Sequence, residues 1–145
     1  MRSEGFTLME LILVLAILAG LAALVAPPFS RTVAFARLRT AASDVRSTFA
    51  RARALAVASS RERSAVFDLS KGEFGVDNEA VRRLPDSIRL GAVLPGGNHL
   101  DRGSVRFLFF PDGGGEEAEI SVTAEDGGAL RVTVDPLTGL SEAGT

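Results

Sequence analysis

Glu10 is the side chain with the strongest chemical demand in this chain. It stands at the head of nineteen uncharged residues, Leu11 to Phe29, and is preceded by Phe6, Leu8 and Met9. Insertion scales charge about 2.5–3.5 kcal/mol for an acid at the centre of an apolar helix and less near an interface. A carboxylate here therefore calls for a partner, or else snorkels to water or takes up a proton. Little other chemistry is on offer. His99 is the sole histidine, in the loop Pro95-Gly96-Gly97-Asn98-His99, where a solvated side chain is expected rather than a base or ligand. Gly113-Gly114-Gly115 lacks the Lys-Ser or Lys-Thr of a phosphate-binding loop, and Glu116 and Glu117 behind it would repel phosphate. Glu116, Glu117 and Glu119, or Asp101 with Asp112, are oxygen ligands without calcium-loop spacing. The absence of cysteine excludes disulfides, Cys-ligated metals and thiol catalysis. With no nucleophile motif, paired catalytic carboxylates or nucleotide fingerprint, no enzyme is expected, and no cofactor or metal.

The elements that must position Glu10 follow from hydropathy. At 145 residues and 15.2 kDa the chain has room for one small domain, which excludes a multidomain enzyme. Its net charge of -2 excludes the strongly basic balance of a dedicated nucleic-acid binder. That mean hides an asymmetry: residues 31–63 carry eight arginines against two acids, and residues 64–145 carry seven basic side chains against fourteen acidic ones. As a helix, Leu11 to Phe29 would rise ~28 Å, close to the ~30 Å hydrocarbon thickness of a bilayer, so it reads as a membrane span. A buried core helix would need cover on all sides from a lean domain. A cleaved secretory signal would need a small residue where Leu24 stands, with Pro27 and Pro28 directly after Ala26, and Gly20 and Ala22 offer a poor site further in.

Beyond the prolines, Leu38, Ala41, Ala42, Val45, Phe49, Ala52, Leu55 and Ala56 recur at three- and four-residue steps. This is an amphipathic helix whose apolar stripe would seat a sheet, continuing the first through a bend at Pro27 and Pro28. Arg39, Arg46 and Arg53 repeat every seven residues on another face. With no aromatic residues among them for base stacking, a solvated basic face is expected rather than a DNA surface. The period then shortens. Residues 65–69 and 73–76 read as a hairpin turning at Ser70-Lys71-Gly72, and 87–93, 104–110, 118–124 and 129–134 as further strands bounded by Pro, Gly, Asp or Asn. A long helix followed by a run of strands predicts an α+β fold with antiparallel sheets.

Gly5-Phe6-Thr7-Leu8-Met9-Glu10-Leu11-Ile12 resembles the class III signal of type IV pilins and type II secretion pseudopilins. The resemblance implies that a prepilin peptidase cuts between Gly5 and Phe6 and methylates the Phe6 amine. It also implies that Glu10 pairs with the methylated amine of a neighbouring subunit in the filament core, and that Pro27 and Pro28 mark a helix kink. Residues 1–5 would be the leader, 6–29 the transmembrane and filament-core helix, 30–63 its amphipathic continuation and 64–145 a β-rich periplasmic head, in a pilin-like fold. The arginines after the span, Arg31, Arg37, Arg39 and Arg46, point the other way under the positive-inside rule, since only Arg2 and the terminal amine precede it. The leader is short, with Glu4 opposing Arg2.

A second resemblance lies at the other end. Phe109-Phe110-Pro111-Asp112-Gly113, followed by Val132-Thr133-Val134-Asp135-Pro136-Leu137-Thr138-Gly139, is similar to the H-type minor pseudopilins, the GspH/FimT group. Physically both are turn sequences. Together the two resemblances imply a minor pseudopilin of the type II secretion pseudopilus, held in the inner membrane before assembly and helping to prime or cap the filament. Its partners would be the prepilin peptidase, other minor and major pseudopilins, the inner-membrane assembly platform and the lipid bilayer, with nucleic acid not expected. A minor type IV pilin, for adhesion, twitching or DNA uptake, would share the N-terminus and fold. A plain membrane-anchored binding domain would leave the N-terminus uncut.

Overall fold

A computed structural model describes the backbone of residues 7–77 and 79–144, and the side-chain surroundings of all of these except 23–32. The fold is α+β. Among the described residues a single helix, α1 (Leu8–Ser59), precedes nine strands: β1 (Arg63–Asp68), β2 (Glu73–Val76), β3 (Arg82–Arg83), β4 (Ile88–Val93), β5 (His99–Leu100), β6 (Ser104–Phe109), β7 (Ala118–Ala124), β8 (Ala129–Val134) and β9 (Ser141–Gly144). The chain divides into two compact units, Met1–Ala34 and Phe35–Thr145. Among the described residues no helix is long and apolar enough to cross a membrane. The run beginning at Leu11 continues past Ala22 into residues outside that description.

In the second unit the strands form two antiparallel sheets, ordered β3-β2-β1-β6 and β5-β4-β7-β8-β9. Alternation along the strands turns Ala65, Phe67, Phe74, Val105, Phe107 and Phe109 inward from the first sheet. Leu90, Ile120, Val122 and Val132 do the same from the second. The expected helical stripe completes one core with them: Leu38, Ala41, Ala42, Val45, Phe49, Ala52 and Ala56 are all buried. The four alanines let the strands approach the helix closely, and Phe49 fills the space among the rings of Phe67, Phe107 and Phe109. Ser64, a polar group inside, donates its hydroxyl to Asp77.

Helix α1 stops at Ser59, short of the expected boundary at 63. Ser60 adopts a left-handed conformation (φ 50°), and its N–H donates to Val57 O while Arg61 N–H donates to Ala56 O, both at 3.3 Å. This paired closure satisfies the last carbonyls, and Ser60, Arg61 and Glu62 are exposed, so no core contact pulls a further turn into helix. All six expected strands form, within two residues of their expected ends. The three unexpected ones, β3, β5 and β9, lie at sheet edges and are two or four residues long, too short for an alternation to register.

Candidate assembly site

Glu10 lies in the first turn of α1, where its N–H donates to the Thr7 hydroxyl (3.3 Å) and to Thr7 O (3.1 Å), with Leu11 N–H also reaching Thr7 O (3.2 Å). Thr7 thus caps the helix and Glu10 is its third residue, the Thr-x-x-Glu spacing of a capping box, a signal legible in the sequence but passed over there. A carboxylate in the first turn also faces the positive end of the helix dipole. Around it every described apolar side chain is uncovered. Leu8 and Met9 are about four-fifths exposed, and Leu11 through Leu21 present their apolar side chains at 44% exposure or more. A helix apolar on all sides is stable only when lipid, a core or other helices cover it.

Gly5 and Phe6, the expected cleavage pair, lie outside the described residues. Pro27 and Pro28 fall within the range of α1, but their side-chain surroundings, and with them the expected kink, also lie outside the description.

The arginine face departs from expectation at one position. Arg39 and Arg46 are exposed, Arg39 lying over the Phe35 ring. Arg53 instead is half-buried, and its Nε–H donates to both Gly113 O and Thr138 O at 2.9 Å. It ties the helix to the two C-terminal turns, Pro111-Asp112-Gly113 and Asp135-Pro136-Leu137-Thr138-Gly139, which also meet through Gly115 N–H and Pro136 O (3.0 Å). Nothing local marks Arg53 for this work; the partners lie 60 and 85 residues away.

Within the second turn the Asp135 carboxylate accepts from Thr138 N–H (2.9 Å), the Thr138 hydroxyl (3.1 Å) and Leu137 N–H (2.9 Å). These bonds, those from Thr138 foremost, hold its pKa below the ordinary carboxylate value. A depressed folded pKa means that the stabilisation is complete above the unfolded value, about 3.9, and lost as pH falls through the folded one. The amide resonances of Leu137 and Thr138 should therefore shift with a midpoint below the ordinary carboxylate value of about 3.9. In Asp135→Asn that transition should vanish.

His99 sits exposed in β5 rather than in a loop. Glu116 accepts from Leu108 N–H (2.9 Å), and Glu119 pairs with Arg131 (3.2 Å). Gly113-Gly114-Gly115 packs beneath Arg53 and against Phe109, where a Cβ on Gly115 would fall 2.9 Å from the ring. Among the described residues no group of three or more His, Asp or Glu side chains is placed to hold a metal. No family model, curated protein or solved structure matches the chain.

Proposed function

We propose that this chain is a minor pseudopilin of the type II secretion pseudopilus, processed by a prepilin peptidase between Gly5 and Phe6 and helping to prime or cap the filament. The observation that carries this reading is the uncovered apolar start of α1, led by the Gly5 to Ile12 motif and by a carboxylate in its first turn. Lipid covers such a helix before assembly, and neighbouring helices replace the lipid in the filament. Glu10 then meets the methylated amine of a neighbour, which offsets the cost of taking its charge out of water. The α+β unit beyond Phe35 is the head that such a helix carries.

Intact mass of the protein from bacterial membranes that contain the peptidase tests the processing. Loss of Met1 to Gly5 with gain of one methyl group is expected, and an uncut chain would return it to a membrane-anchored domain. Thr7 supplies the observed cap by accepting from the Glu10 backbone N–H, so the Glu10 side chain can be changed without removing it. Glu10→Ala removes the whole carboxyl group, whereas Glu10→Gln keeps the size and polarity of the side chain and loses only the charge. Both variants should be processed and both should be depleted from sheared filaments. Normal incorporation of the glutamine variant would remove the ion pair from the mechanism. Recovery of the subunit in surface pili rather than in a periplasmic pseudopilus would make it a minor type IV pilin instead.

A further inference from the structure

A cleft of about 560 Å³, within the usual range for ligand sites, opens at one end of both sheets. Three connections build it: the β1–β2 turn, the β3–β4 link and the loop after β5. They are pinned to one another: Leu69 N–H donates to Gly103 O (2.8 Å), Gly103 N–H to the Ser70 hydroxyl (2.9 Å), and Leu84 N–H to Gly72 O (2.9 Å). Such a site needs little ordering when something binds. Its floor is aliphatic, from Leu69, Leu84, Ile88 and Leu90, each almost fully buried.

Its charge runs against that of the rest of the head. Residues 64–145 hold seven basic side chains against fourteen acids, yet among the described residues this one cleft is lined by four of the seven, Lys71, Arg83, Arg89 and Arg102, and by only two acids, Asp86 and Asp101. Lys71 pairs with Asp68 (3.6 Å) and Arg83 with Asp86 (3.4 Å). Among the described residues no carboxylate lies within ion-pair distance of Arg89 or Arg102. No aromatic side chain among the described residues lines the cleft, so bases would find nothing to stack on. The cleft is flanked by outermost strands of both sheets: Arg83 belongs to β3, and Asp101 and Arg102 directly follow β5. An extended chain can hydrogen-bond to such edges.

We propose that this cleft binds an acidic, extended peptide segment of a partner protein. An apolar side chain of the segment rests on the leucine and isoleucine floor while its carboxylates pair with Arg89 and Arg102. Planar guanidinium groups suit that pairing. The site belongs to the head alone and does not depend on how the chain is processed or assembled, so its failure would leave the filament reading untouched.

The test is fluorescence anisotropy on the full chain in detergent, with a short labelled peptide alternating Glu and Leu and with empty micelles as baseline. Saturable binding is expected, weaker by about tenfold or more when Gln replaces Glu or Ser replaces Leu in the peptide. The double variant Arg89→Glu with Arg102→Glu should cost about tenfold or more, and lysine at both positions should restore part of the loss. Arg37→Glu with Arg61→Glu, the same charge change on exposed helix-side positions, should leave affinity within about twofold. Three outcomes would overturn the proposal: no saturable binding, an equal loss in the control variant, or equal affinity for oligothymidylate or a free dicarboxylate.

Discussion

Phe49→Ala is expected to destabilise the unit beyond Phe35 by about 3–5 kcal/mol. The ring is fully buried, with centroids 5.1 Å from Phe67, 5.8 Å from Phe107 and 6.0 Å from Phe109. Those neighbours stand on β1 and β6, which are paired along six residues each, so the backbone cannot move in to fill the space. The lost transfer free energy and the cavity therefore add. Against a typical domain stability of about 5–15 kcal/mol, this is a large share. Unfolding is best followed by circular dichroism or by exchange of strand amides, because the chain has no Trp or Tyr to report by fluorescence. Phe35→Ala, at an exposed ring on the same helix that Arg39 lies over, should cost at most about 1 kcal/mol and serves as the comparison. Equal effects at the two positions would mean that Phe49 does not organise the core.

Gly139→Ala is expected to cost about 2–4 kcal/mol, from the left-handed backbone and from the hydrogen bonds it displaces. Gly139 has φ 62°, and a Cβ there would lie 2.3 Å from Gly113 O, 2.9 Å from Arg53 Cδ and 3.0 Å from its Nε. The first of these is backbone, held in a turn by the Gly113 N–H bond to Phe110 O (3.0 Å), so the two turns must part from each other or from the helix. Gly127→Ala isolates the conformational part, since Gly127 has φ 87° and nothing within 4 Å of a new Cβ. It should cost clearly less. Arg53→Ala removes the same contact from the other side, so the double variant Arg53→Ala with Gly139→Ala should be little worse than Gly139→Ala alone. Simple additivity of the two would show that Arg53 and the turn act independently.

Much of this was legible from local order. A three-and-four step from Leu38 to Ala56 reports a helix with one buried face, and alternation at 65–69, 104–110 or 118–124 reports strands with one buried face, because each period is a property of the backbone itself. Thr7-Leu8-Met9-Glu10 also carried the helix cap, overshadowed by the motif that contains it. Other features had no local signature. The edge strands β3, β5 and β9 exist because a neighbour offers them hydrogen bonds. Arg53, one of three arginines at equal spacing, is set apart only by turns brought to it from 60 and 85 residues away. Lys71, Arg83, Arg89 and Arg102 are scattered through an acidic stretch and gather only because sheet register brings three connections to one end. Sequence by itself thus determined the long helix, the six longer strands and their buried faces, since these depend on neighbours along the chain. The tertiary structure decided which charged groups meet, since that depends on register and packing between residues far apart.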